Sequence, residues 1–95
     1  SARTMLVGRV VSAVSGAGEK GVRVTILPNS NIFRPKSAVT NDKGQFQVVL
    51  TEGDWTVQVP KPGEASATID RPITVAGGLI NDDKDDEVTS LTINR

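Results

Sequence analysis

The chain has 95 residues, no cysteine and no histidine, and 11 basic against 11 acidic residues, for a formal charge of zero. That length suits one domain or one module of a longer chain, with enough material for a single core. The missing residue types exclude disulfides, thiolate metal sites and the commonest general base, and the neutral balance provides no sequence-wide field for nucleic acid or acidic membrane. No run of about 18 apolar residues is present to cross a bilayer as a helix. The charge is nonetheless unevenly placed: residues 1–43 hold seven Lys or Arg against two acids, and residues 44–95 hold four against nine.

Ser1 to Thr4 shows no signal peptide, although a mature chain would have lost one. Met5 to Val14 reads as a first strand, with Leu6, Gly8 and Val10 on one face and Val7, Arg9 and Val11 on the other. The glycine-rich stretch from Ser15 to Gly21 is a turn, and Val22 to Leu27 is a second strand with Val22, Val24 and Ile26 inward. Pro28 ends it, because proline cannot donate to a ladder. Asn29 to Lys36 is a loop carrying an apolar pair, Ile32 and Phe33, and Ser37 to Thr40 is a short strand.

The stretch from Thr40 to Val59 is the best-patterned part of the chain. Phe46, Val48 and Leu50 alternate with Gln45, Gln47 and Val49, and Trp55, Val57 and Val59 alternate with Thr56 and Gln58. Each strand therefore has one face for a core. The short link from Thr51 to Asp54, with Gly53 providing a positive φ, predicts that these two strands form a hairpin. Asn41-Asp42-Lys43-Gly44 is a second turn just before it.

Pro60-Lys61-Pro62-Gly63 predicts a stiff, exposed connection. Ala65 to Ile69 alternates weakly, Pro72 interrupts the pattern, and Ile73 to Val75 resumes it before Ala76-Gly77-Gly78. Residues 81–87 form an acidic, solvated loop, and Val88 to Ile93 is a last strand with Leu91 and Ile93 inward. No 3.6-residue period holds for ten residues, so essentially no helix is expected. About seven short strands, with turn signals every eight to twelve residues, predict a single antiparallel Greek-key β-sandwich.

Four segments, Gly8-Arg9-Val10, Gly21 to Ile26, Thr40 to Phe46 and Leu50 to Val57, together resemble the carboxypeptidase regulatory-like domain, a transthyretin-like (prealbumin-like) β-sandwich. The family pattern is a Gly-x-Val strand, a glycine turn, alternating valines and Thr-Asp-x-x-Gly-x-Phe. It closes with a leucine, a glycine turn, an aromatic and further valines, here Leu50, Gly53, Trp55, Val57, Val59 and Gly63. The likeness covers about Leu6 to Gly63. Asn41 stands where Asp is usual, Trp55 where Tyr is usual, and Thr51-Glu52 where a proline often precedes the glycine. The resemblance implies an accessory module, found beside peptidases, outer-membrane transporters and surface repeats alike, and fold likeness alone does not choose among them.

Catalysis of the related peptidase or hydroxyisourate hydrolase kind needs histidine, and the C-terminal Tyr-Arg-Gly-Ser of those hydrolases is replaced here by Thr92-Ile93-Asn94-Arg95. No nucleophile–base spacing stands out either, so no catalytic residue and no cofactor are expected. Asn81, Asp83 and Asp85 alternate like the ligands of a calcium loop, but an EF-hand needs Gly at the position of Asp86 and Glu at that of Thr92. The expectation is a mobile acidic loop without a metal, with a looser calcium site as the alternative. Phe46 and Trp55 read as core, leaving Phe33, flanked by Ile32 and Arg34, as the exposed aromatic. Those three form either an interaction surface or a lid over one end of the sandwich. An intramolecular isopeptide is not expected: Lys20 lies in a turn and Asn94 is nearly terminal.

The sequence therefore reads as a non-catalytic spacer or packing module of a larger extracytoplasmic bacterial protein, whether periplasmic, cell-surface or secreted. Its expected partners are neighbouring domains of that protein or another protein, with neither nucleic acid nor direct membrane insertion. The alternative is a calcium- or carbohydrate-binding module using the end loops.

Overall fold

The computed structural model describes residues 3–95, leaving Ser1 and Ala2 outside it. The described residues form eight strands and no helix: β1 (Arg3–Val11), β2 (Arg23–Pro28), β3 (Lys36–Val39), β4 (Gln45–Thr51), β5 (Gly53–Lys61), β6 (Glu64–Ala76), β7 (Leu79–Asp82) and β8 (Leu91–Asn94). They form a three-stranded sheet, β4-β1-β8, and a five-stranded sheet, β3-β2-β5-β6-β7. All pairs are antiparallel except β1 with β8, which run parallel.

The core lies between the sheets. Leu6, Val10, Phe46, Leu50, Leu91 and Ile93 close it from the small sheet. Val24, Ile26, Trp55, Val57, Val59, Ile73, Val75 and Ile80 close it from the large one. These are the alternate residues of each strand, so the period-two pattern translates directly into the two inner faces. Gly8 is the exception on β1. It pairs with Phe46 across the ladder, and a Cβ there would strike the Phe46 ring and the Leu91 carbonyl. The aromatic ring fills the space that a larger residue would need.

The principal correction concerns β4 and β5, which do not form a hairpin. β4 pairs with β1 and β5 with β2 and β6, so the chain changes sheets between Thr51 and Gly53. Both strands carry a continuous apolar face, and placing them in opposite sheets lets those faces cover each other. Gly53, at φ 138°, turns the corner in a region that side-chain-bearing residues avoid.

The hairpins lie further on. Pro62-Gly63 joins β5 to β6 directly, with Lys61 opposite Glu64 and Gly63 at φ 73°; a proline followed by a positive-φ glycine suits a type II turn. The expected stiff connection is thus a tight turn. Gly77-Gly78, both at positive φ, joins β6 to β7 in a second two-residue hairpin that the reading of residues 81–87 as loop had missed.

β6 also runs unbroken through Pro72, because Pro72 lies one residue beyond the last β7 pair, Ile73 with Asp82, where one side of β6 has no partner strand. β1 stops at Val11 rather than Val14, because the Ser12 hydroxyl accepts from the Val14 and Ser15 amides and turns the chain. Val11 is buried rather than outward. β8 starts at Leu91, with Val88 instead donating its amide to Ile80.

Candidate functional site

The Thr40–Gly44 turn is the most densely bonded local structure. The buried Thr40 hydroxyl accepts from the Val22 amide at 2.9 Å and donates to the Glu19 carbonyl at 2.5 Å, tying three segments together. The Asn41 side-chain oxygen accepts from Lys43 N at 3.0 Å and Gln45 N at 2.9 Å, so asparagine performs the turn-forming role expected of aspartate here. Gly44 has φ 77° and a backbone packed so closely on Val10 and Glu19 that a Cβ would collide with them. The motif is therefore structural: the Thr40 and Asn41 side chains are consumed in holding the fold, while Asp42 and Lys43 stay exposed. Close by, Arg95 pairs with Glu19 at 3.0 Å and donates to the Pro60 carbonyl at 2.7 Å, fastening the segment after β8 to β5.

Of the loop residues singled out above, Phe33 is half-buried and stacks on Trp55, with centroids 6.0 Å apart and planes inclined by 24°. It packs against the core as a lid and is not an exposed aromatic. Ile32 and Arg34 stay exposed beside it, Ile32 at 85%. Trp55 itself is 1% exposed and donates its indole N–H to the Thr51 carbonyl at 3.0 Å, which leaves no aromatic face for a sugar at that position.

The acidic segment is a compact turn and not an extended loop. The Asp82 carboxylate accepts from the Lys84 and Asp86 amides at 2.9 and 3.0 Å, and Asp82 N donates to the Asp86 carbonyl at 2.9 Å. Those two amide donors, ahead of the nearby Lys84 and Arg71 charges, hold the Asp82 carboxyl below its ordinary range. Asp85 takes φ 62°, which aspartate tolerates in turns. The three candidate ligands are differently placed: Asn81 is a ladder residue of β7 opposite Thr74, whereas Asp83 and Asp85 are exposed in the turn. Among the described residues no three His, Cys, Asp or Glu side chains are grouped to hold a metal ion. A cleft of about 220 Å³ beside the turn is walled by Asn29, Asp54, Thr74 and Asp83, and Asp54 is already engaged by the Thr74 hydroxyl at 2.8 Å.

A larger groove of about 580 Å³ opens outward on the small sheet, lined by Val7, Arg9, Gln45, Gln47 and, from β3, Val39. Met5, Val7 and Val49 are exposed on the same face, at 48%, 41% and 36%. Sequence reasoning passed over these residues because the outward positions of an alternating strand read as solvated whatever their type. Their signal was the mixed spelling of β1, in which Met5 and Val7 stand where polar residues were due.

No curated protein matches the chain. The family model for the carboxypeptidase regulatory-like domain matches residues 5–83. That span runs from β1 to the acidic turn and takes in the Thr40–Gly44 motif, so the chain belongs to the carboxypeptidase regulatory-like domain family.

Proposed function

We propose that the chain is a non-catalytic structural module, a spacer and packing surface between neighbouring domains of a larger extracytoplasmic bacterial protein. The family, made up of non-catalytic accessory domains, supports the coarse reading. One observation carries the spacer role. β1 and β8 run parallel and side by side, so the start of β1 and the end of β8 lie at opposite ends of the sandwich. The fold thus carries the chain over the length of β1, about 26 Å, within a 38 × 25 × 23 Å body, as an in-line element must. The Asn41 and Asp82 side chains at the turns serve the backbone, and the largest aromatic is sealed under Phe33.

Two copies joined in tandem should scatter X-rays as an extended rod with a maximum dimension near twice the 38 Å of one domain. A folded-back, compact particle would refute the in-line role. Melting with calcium, with magnesium at equal ionic strength and with a glycan panel should give the same midpoint throughout. A calcium-specific rise of several degrees, abolished by Asp83→Asn with Asp85→Asn, would replace the spacer reading with a ligand-binding one.

A further inference from the structure

The outer faces of the two sheets carry complementary stripes. On β1 the outward residues are Arg3, Met5, Val7 and Arg9, an apolar pair bracketed by arginines six residues, about 20 Å, apart. Val49 sits directly opposite Met5 and widens the apolar middle. β1, β4 and β8 contain no Asp or Glu at all, and among the described residues neither Arg3 nor Arg9 has an ion-pair partner.

On the other sheet, the outward residues of β6 from Asp70 onward are Asp70, Pro72, Thr74 and Ala76, all exposed, with Leu79 of β7 opposite Ala76 and 53% exposed. Asp70 marks one end of this stripe. At the other end the Glu52 carboxylate is held beside Ala76 by accepting the Gly77 amide at 2.8 Å. Two acids therefore bracket a mixed middle over the same length of about 20 Å, six residues of strand, in which Asp54 of β5 lies opposite Thr74 and accepts its hydroxyl at 2.8 Å.

We infer that this domain associates with a second copy of itself head to tail, the β1 face of one copy on the β6–β7 face of the next. Arg9 then meets Asp70 and Arg3 meets Glu52. Val7 lies over Pro72, Met5 over Thr74, and Arg3 over Ala76 beside Glu52 and Leu79. Packing the β1 face on its own counterpart would instead set arginines against arginines, so a two-fold dimer through that face is disfavoured. A heterologous contact between faces on opposite sides of the sandwich stacks copies in one direction, so open chains of copies result. This deepens the packing-module reading by naming the partner. Its failure would leave the in-line spacer role standing, since that role is read separately from the shape of a tandem.

Sedimentation velocity at low salt, up to millimolar protein, tests it. The expected result is a weight-average sedimentation coefficient that rises with concentration without a plateau and falls back in high salt. Arg9→Glu and Asp70→Arg should each weaken self-association by about tenfold or more, because each sets like charges together. Both positions are exposed on the surface, and circular dichroism checks that each variant is folded. An equimolar mixture of the two should recover association into alternating chains, since the unchanged Arg9 face of one variant meets the unchanged Asp70 face of the other and the two exchanged faces are again opposite in charge. A protein that stays monomeric at millimolar concentration would overturn the inference. So would association that survives Arg9→Glu, or a mixture no stronger than its components. Binding of an unrelated acidic peptide to the β1 face without self-association would overturn it as well, and would assign that face to a foreign partner.

Discussion

Trp55→Ala is the sharpest test of how the core is assembled. The indole is 1% exposed, lies in the cluster that includes Val24, Phe46, Leu50 and Val57, and carries the Phe33 ring on its outer side. Truncation removes the largest buried side chain in the domain, and a change of that kind costs about 3–5 kcal/mol in transfer and cavity terms. Losing the Phe33 stack adds about 0.5–1.5 kcal/mol, and the Thr51 carbonyl loses its donor. Against a total stability of about 5–15 kcal/mol, this takes a large share and should lower the melting midpoint by about 15–30 °C. Urea unfolding followed by far-ultraviolet circular dichroism measures the loss without needing the tryptophan. Trp55→Phe should recover more than half of it by refilling the space. A loss below about 1 kcal/mol for Trp55→Ala would refute the burial argument. A red-shifted, readily quenched emission from the wild-type tryptophan would do the same by an independent route.

Two further outcomes follow from the backbone and from charge. Gly53→Ala should cost at least about 1 kcal/mol in urea unfolding even though no atom lies within 4 Å of the added Cβ, because φ 138° alone penalises it; a neutral or stabilised variant would show that the sheet-crossing corner relaxes freely. Asp82 titrates below the ordinary aspartate value, so its contribution to the turn is present above that value and is lost as pH falls through the depressed folded-state value. Protection of the Lys84 and Asp86 amides from exchange should therefore persist at mildly acidic pH and disappear only in stronger acid. Asp82→Ala should abolish that protection at all pH values, and unchanged protection in the variant would show that the carboxylate does not organise the turn.

Much of this architecture was determined by the sequence alone. Alternation at Leu6 to Val10, Val22 to Ile26, Phe46 to Leu50 and Trp55 to Val59 assigns inward and outward residues without reference to any partner, because the strand period is two wherever the strand sits. Asn41 to Gly44 could be read as a turn for the same reason: an Asx acceptor and a positive-φ glycine act over four residues. The Gly77-Gly78 hairpin was equally legible and was overlooked because the acidic residues after it drew a loop assignment.

Which sheet each strand joins was decided only in three dimensions. A hairpin and a sheet-crossing corner present the same alternation and the same glycine, and they differ in whether two apolar faces lie side by side or cover each other. Phe33 was ambiguous until the fold placed the Trp55 ring beneath it. The stripes on β1 and β6 were spelled out in the sequence as Arg3 to Arg9 and Asp70 to Ala76, but that one outer face bears arginines and the opposite one acids depends on packing β1 and β6 into different sheets. Local patterns dictate which way a side chain points relative to its own strand, and long-range pairing dictates what it meets there.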